Sequence, residues 1–270
     1  MLKAYAKVNL SLKIVNVLPN NYHTLEAVNV KIDLVDEIKI TESAQMSVGY
    51  QNFHINKDED TIVKFLNEVQ KVYNIPNLYI WINKKIPVGS GMGGLSSDIA
   101  AIFNYINKKY KLGLTFKQMV KFVLPFGTDI CYQLQDKPAL VKGIGDVIIP
   151  LNIKLPKKIM VFSPKITVQT KDIYSLVTKY QKESYSKVLL ETFGLNELKW
   201  IYTNDLEDAT FKKYPEIKRY ITELKSYHIG KVQMTGSGSS ILIYNQDKYI
   251  LSKLKEKYPD VDINIYKIKK

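Results

Sequence analysis

Pro87-Val-Gly-Ser-Gly-Met-Gly-Gly-Leu-Ser-Ser-Asp98 is the stretch on which the reading of this chain turns. Leu78, Ile80 and Ile82 alternate just before it, as in a strand, and Ile99, Ile102, Phe103, Ile106 and Tyr110 follow at helical spacing. Glycines between a strand and a helix let the backbone approach a ligand closely and aim successive N–H groups at it. The helix N-terminus adds a field that favours anions. Phosphate is the natural guest, with Ser96 and Ser97 offering hydroxyls to phosphate or Mg²⁺. The bland alternative is a tight glycine turn, with the helix starting at Ser96-Ser97-Asp98 and Ser96 or Ser97 as its N-cap.

Gly89, Gly91 and Gly94 satisfy G-x-G-x-x-G, the dinucleotide fingerprint. Such a site also wants a second parallel strand ending in an acidic residue about 20 positions later. Lys111-Leu-Gly-Leu-Thr stands there and has neither. The lysine of a Walker A loop is missing, as are the His-Arg-Asp and Asp-Phe-Gly of protein kinases. A different phosphate loop is required.

Upstream, Ala4, Ala6, Val8, Leu10 and Leu12 alternate with Tyr5, Lys7, Asn9, Ser11 and Lys13, which predicts a strand whose second face carries Lys7 and Asn9. A turn at Pro19-Asn-Asn-Tyr-His precedes a second strand through Val28, Val30, Ile32 and Leu34, and short strands are expected at 38–40 and 46–50. Ile62, Phe65, Leu66, Val69 and Tyr73 predict a helix stopped by Pro76, and Thr115 with Gln118 predicts a capping box opening a helix over 116–124. Pro150, Pro156 and two adjacent lysines suggest a domain boundary, giving domains 1–152 and 153–270. Beyond it, strands near 159–162, 233–234, 240–244 and 262–266 and helices near 171–180, 217–224 and 248–258 predict an α+β second half.

Composition narrows the function. The 270 residues, 46% hydrophobic and 24% charged, suit a folded soluble protein, and no apolar run approaches the roughly 20 residues of a membrane span. Cys131 is the only cysteine, which excludes an internal disulfide and a cysteine metal cluster and fits a cytoplasmic setting. The formal charge of +13 raises the question of nucleic acid. Arg219 is the sole arginine, and the lysines are spread without a dense block, so nucleic acid is not the expected partner. An anionic small substrate gains from the same field.

Two further blocks carry chemistry. In Pro125-Phe-Gly-Thr-Asp129 a carboxylate follows a glycine turn, and it can accept a proton from a substrate hydroxyl if a lysine such as Lys7 keeps it ionised; the alternative is an ordinary turn or cap residue. Met234-Thr-Gly-Ser-Gly-Ser-Ser240 is a second Gly/Ser turn between strand-like segments, a hairpin loop as readily as a ligand contact.

These three blocks, in this order, resemble the GHMP kinase superfamily across nearly the whole chain. Ala6-Lys-Val-Asn-Leu10, Tyr22-His-Thr-Leu-Glu26, Gly143-Ile-Gly-Asp146 and Asn204-Asp-Leu-Glu207 continue the likeness, and the Lys-x-Asn and Tyr-His pairs point to the branch acting on a cytidine-bearing polyol. The resemblance implies a two-domain α+β fold: an N-terminal domain like ribosomal protein S5 domain 2, with a left-handed βαβ crossover, and a ferredoxin-like C-terminal domain. It implies transfer of the ATP γ-phosphoryl group to the 2-hydroxyl of diphosphocytidyl-methylerythritol, with Mg²⁺, in isoprenoid precursor synthesis. Asp129 carries over as base and Lys7 as its charged partner, with Asn9, Tyr22, His23 and Tyr174 on the substrate. The ATP set comprises Lys84, Pro87, Val88, Gly89, Ser90, Gly91, Met92, Gly93, Gly94, Leu95, Ser96, Ser97, Gly236, Ser237 and Gly238, with Ser97 also toward Mg²⁺. A monomer or weak homodimer, with no membrane or nucleic-acid partner, is expected.

Leu95 stands where this loop commonly has glycine, Ile130-Cys131 replaces Val-Pro, and Asp60-Thr61 replaces an Asp-Asn bordering the adenine site. Two other functions stay open: a GHMP kinase of homoserine or mevalonate type, against which Tyr22-His23 argues, and a basic binding protein that lost catalysis, against which Lys7 and Asp129 argue.

Overall fold

Two long strands open the chain: β1 (Leu2–Val17) and β2 (His23–Glu42), paired with each other around a turn at residues 18–22. The computed structural model describes residues 1–51, 55, 59–152, 155–180 and 202–269. They pack into two units, and both strands contribute to each. Unit 1 comprises Met1–Ala6, Leu34–Ile86 and Gly93–Gln135; unit 2 comprises Lys7–Asp33, Pro87–Met92 and Asp136–Lys270.

In unit 1 the end of β2 runs antiparallel to β4 (Leu78–Asn83), with Ile38 opposite Ile82 and Ile40 opposite Ile80. On the other side of β4 lies β3 (Ser47–Gln51), parallel to it. Parallel neighbours need a crossover, and α1 (Thr61–Val72) supplies it. Asp60 accepts the Ile62 N–H as the N-cap of α1, and Ile62, Phe65, Leu66 and Val69 form its buried face. Phe65 meets Phe103 and Phe126 edge to face, at ring separations of 5.3 and 5.4 Å. Phe103 comes from α2 (Gly94–Lys109). The predicted capping box opens α3 (Phe116–Val123), which runs through a 3₁₀ turn at Leu124–Phe126 into α4 (Thr128–Gln133).

Two expectations change here. Residues 38–40 belong to β2 instead of forming a separate strand, because the polar break at Asp36 turns inward and is satisfied by the Lys85 and Ile86 N–H groups. Helix α2 begins at Gly94, not at Ser96. Gly93 is its N-cap residue in the left-handed region (φ 66°), so Ser96 and Ser97 lie in the first turn and cap nothing.

In unit 2 the first part of β2 pairs with β5 (Ala139–Lys142), and β5 pairs with β6 (Val147–Pro150). A four-stranded antiparallel sheet follows, built from β7 (Lys158–Ser163), β8 (Val232–Met234), β9 (Ile241–Ile243) and β10 (Asp262–Lys267), in the order β10-β7-β9-β8. Between β7 and β8 come α5 (Thr170–Ser175), α6 (Glu207–Lys213) and α7 (Pro215–Ser226); between β9 and β10 comes α8 (Lys248–Lys257). This is the β-α-β-β-α-β order of a ferredoxin-like half, as expected. Its core joins Met160, Phe162, Ile217, Ile221, Ile241 and Ile243 to Leu12, Ile14 and Ala27 of the first two strands. Lys7, Asn9 and Ser11, the polar face of β1, are also buried, at 3%, 3% and 0% exposure.

Candidate active site

Within unit 2, residues 87–92 of the glycine turn lie directly against the Met234–Ser240 block. The Ser240 N–H donates to the Ser90 carbonyl at 3.1 Å. A Cβ added to Gly91 would sit 2.4 Å from the Thr235 carbonyl oxygen and 2.8 Å from that of Gly238; one added to Gly236 would sit 2.7 Å from the Gly91 carbonyl oxygen. Only residues without side chains permit this approach, which is why the two blocks are both rich in glycine. The second block is pinned from behind: Asn204 Nδ2 donates to the Met234 and Gly236 carbonyls, and Thr210 Oγ1 to that of Ser237. Ser90 Oγ is spent on the Pro87 carbonyl and Ser237 Oγ is paired with Thr170 Oγ1. Two of the predicted ATP-side hydroxyls therefore hold the loops in shape.

The same loop fixes Lys7. Its N–H donates to the Met92 carbonyl at 3.0 Å, and its Nζ donates to Asn9 Oδ1 at 2.9 Å. Asn9 passes the chain on, with Nδ2 donating to Asn29 Oδ1 at 2.6 Å and its N–H to Thr235 Oγ1 at 2.8 Å. A buried relay thus runs from the second Gly/Ser block through Asn9 to the ammonium of Lys7.

Unit 1 holds the rest of the turn, residues 93–97, at the start of α2. A helix leaves its first N–H groups unpaired, and those of α2 belong to this turn. Ser97 Oγ donates to the Tyr5 carbonyl at 2.7 Å and Leu95 is exposed. Lys84 Nζ is buried between Asp36 (2.5 Å) and Asp98 (2.6 Å), and a Cβ on Gly94 would lie 3.3 Å from it. Its ammonium is therefore committed to two carboxylates beneath the first turn. Burial alone would lower the Lys84 pKa, but Asp98 and Asp36 outweigh it and hold it above the ordinary value. Burial, reinforced by Asp36 and against the pull of Lys84, pushes Asp98 up to about 8. One ammonium serves two carboxyl groups, which favours the protonated form of Asp98 more than an isolated ion pair would.

His23, the first residue of β2, is partly buried among aromatic rings. Tyr174 lies 5.4 Å away, tilted by 52°, and Tyr180 lies 6.0 Å away, nearly parallel at 18°. Burial lowers the His23 pKa, which favours the neutral imidazole. Tyr22 is 53% exposed. Asp129 lies in the first turn of α4 and is exposed.

Comparison with known proteins decides the family. Residues 60–148 match the model for the GHMP kinases N terminal domain, and residues 191–260 the model for GHMP kinases C terminal. The chain is 31% identical over 275 residues to the 4-diphosphocytidyl-2-C-methyl-D-erythritol kinase of Clostridium tetani, covering 97% of this chain and 98% of that one. The chain belongs to the GHMP kinases. It is also 30% identical over 243 residues to the Bacteroides fragilis protein of the same name, covering 87% of this chain and 88% of that one. A crystal structure of a 4-(cytidine 5'-diphospho)-2C-methyl-D-erythritol kinase shares the fold at a TM-score of 0.78 and 22% identity, with 98% of each chain covered.

Sequence reasoning about this GHMP kinase missed Asn29, Asp36, Thr235 and Tyr180. Asn29 and Asp36 lie inside a strand pattern, where a polar residue gives no sign of whether it is buried. Thr235 was visible only as part of a turn. Tyr180 is separated from His23 by most of the chain, and nothing local links them. The departures from the family pattern fall at dissimilar places: Leu95 on the surface, Ile130 and Cys131 in the core, and Thr61 as the first residue of α1, next to the N-cap Asp60, whose second oxygen accepts the Tyr50 hydroxyl at 2.7 Å. Among the described residues no group of three or more His, Cys, Asp or Glu side chains is arranged to hold a metal, and no helix is long and apolar enough to cross a membrane.

Proposed function

We propose that this GHMP kinase transfers the γ-phosphoryl group of ATP to the 2-hydroxyl of 4-diphosphocytidyl-2-C-methyl-D-erythritol, giving the 2-phosphate and ADP in isoprenoid precursor synthesis. The observation that carries the reading is the tie between Lys7 and the glycine turn, through its N–H on the Met92 carbonyl, with Asn9 on its ammonium. Phosphoryl transfer depends mainly on positioning and on stabilising charge, so a lysine registered to a phosphate loop is in the right company. Asp129 takes the proton of the attacking hydroxyl, and Lys7 stabilises the negative charge that develops on its oxygen. The backbone of Gly89, Gly91, Gly93 and Gly94 cradles the phosphates, with Gly236 and Gly238 as the supporting turn. Lys84 supports the first turn of α2 from below, and Tyr22, His23 and Tyr174 receive the cytosine.

Mg²⁺ bound with ATP neutralises phosphate charge. The donor chemistry fits in one place: Ser97 Oγ gives its proton to Tyr5 and keeps oxygen lone pairs of the hard kind Mg²⁺ prefers. Ser97 would hold the ion together with the phosphates of the nucleotide. We assign residues 1–152 to an ATP-binding and catalytic domain that also contributes Tyr22 and His23 to the substrate, and residues 153–270 to a substrate-side domain that also contributes Gly236 and Gly238 to the phosphate turn, in a cytoplasmic protein that acts as a monomer or weak homodimer and needs no nucleic acid.

The test is to supply the pure protein with Mg·ATP and, in separate reactions, diphosphocytidyl-methylerythritol, mevalonate and homoserine, following ADP and the new phosphomonoester by phosphorus NMR. Product is expected with the first alone. Product with either of the others, at comparable rate, assigns the chain to a different GHMP activity.

A further inference from the structure

The ring of Tyr180 has no place in the chemistry above, yet among the described residues it is the ring most nearly parallel to the His23 imidazole, at 18° and 6.0 Å. We propose that Tyr180 is a positioning residue for His23: by covering the imidazole face it fixes the plane in which the two ring nitrogens meet the edge of a pyrimidine base. This rests on the reading of His23 as part of the nucleoside site.

An imidazole at the start of a strand can turn about two side-chain bonds, and an edge that reads a base is useful only in a fixed plane. Aromatic rings prefer offset stacked or tilted contacts at centroid separations of roughly 4.5–7 Å, and among the described residues His23 makes one of each kind. Tyr174 meets it at 52°, too oblique to define its plane, whereas Tyr180 lies along it. The Tyr180 hydroxyl donates to the Val177 carbonyl at 3.4 Å, a long contact, so the ring face is the better-made interaction. Burial is the cause that lowers the His23 pKa, and a neutral ring presents one donor and one acceptor, the pair needed to discriminate a base edge.

The experiment uses the full chain with Tyr180→Phe and Tyr180→Ala, each checked for cooperative melting, and cytidine 5'-diphosphate as the probe. Histidine side-chain NMR follows His23, assigned by the signal missing in His23→Gln. Tyr180→Ala is expected to shift the His23 ring resonances as the ring current is lost, to raise its titration midpoint toward 6.5, and to weaken cytidine diphosphate roughly 2- to 10-fold while sparing Mg·ATP. Tyr180→Phe is expected to behave as the parent on all counts. Unchanged His23 resonances in Tyr180→Ala, or losses in Tyr180→Phe as large as in the alanine variant, overturn the assignment. If the parent protein does not bind cytidine diphosphate, the nucleoside reading itself fails, and the NMR still reports whether Tyr180 holds the imidazole.

Discussion

Replacing Gly91 by alanine introduces one methyl group at the most crowded point between the two Gly/Ser blocks. Two costs add. At φ 78° an L-residue gives up roughly 1–2 kcal/mol relative to glycine. The new Cβ would lie 2.4 Å from the Thr235 carbonyl oxygen, a backbone atom that cannot swing aside, so the blocks must part; overpacking of this kind costs roughly 1–3 kcal/mol. The expected loss is therefore about 2–5 kcal/mol. Gly113 supplies the control. It has φ 68° and nothing within 4 Å of an added Cβ, so Gly113→Ala carries the first cost alone, partly offset by a stiffer unfolded chain. Urea unfolding followed by circular dichroism gives both stabilities, and calorimetry with Mg·ATP gives both affinities. Gly91→Ala should be the less stable by at least about 1 kcal/mol and should bind ATP more weakly, while Gly113→Ala binds it normally. Equal losses in the two variants, or unchanged ATP affinity in a folded Gly91→Ala, would refute the claim that this contact shapes the phosphate turn.

Asp129→Asn should fold and bind ATP as the parent does yet lose roughly 10²- to 10⁴-fold in turnover; near-full ADP release in a steady-state assay removes it from the role of base. Lys84→Met leaves Asp36 and Asp98 buried without their cation and should cost roughly 3–5 kcal/mol in urea unfolding at neutral pH, a loss that an exposed, ligand-only lysine would not produce. With the Asp98 pKa raised from 3.8 to about 8, the folded protein holds a proton that the unfolded chain releases, so this group's contribution to stability is full below about 3.8 and lost as pH rises through about 8. Asp98→Asn should flatten that decline between about pH 4 and 8, and a parallel decline in both proteins rules the group out. Tyr22→Ala, Tyr174→Ala and His23→Ala should each weaken a cytidine ligand, by roughly 1–3 kcal/mol for a stacking ring, and leave ATP affinity unchanged; equal losses for both ligands would count against a nucleoside site.

The alternation of apolar residues along the first strand, the helical spacing of Ile62, Phe65, Leu66 and Val69, and the Thr115/Gln118 capping box were all legible because each is a local pattern with a local cause. The glycine turn was legible as a turn for the same reason. Its partner was not: the contact of Gly91 with Thr235 and Gly236 is a matter of topology, and the second block alone reads as any hairpin. Lys84 shows the same limit in chemistry. A lysine just before a phosphate loop invites assignment to phosphate, and only the fold reveals the two carboxylates already around it. β5 and β6 went unread because each is four residues long, too short for alternation to rise above noise.

The relay from the second Gly/Ser block to Lys7 also bears on the order in which the protein is made. Asn9 leaves the ribosome well before the Thr235 hydroxyl that holds its N–H, which lies 226 residues later. Leu12 likewise waits for the Thr203 carbonyl, and Gln233, which donates to the Leu10 carbonyl, comes later still. Until residues 203–235 have emerged, the first strand therefore lacks the partners of its Asn9 and Leu12 N–H groups and of its Leu10 carbonyl. Contacts of such long separation close slowly, and the intermediate exposes strand edges that aggregate readily. The nascent chain can pack α1, α2 and α3 early, and Lys7 can meet Met92 and Asn9, but the Asn9 end of the relay is not held until Thr235 has emerged.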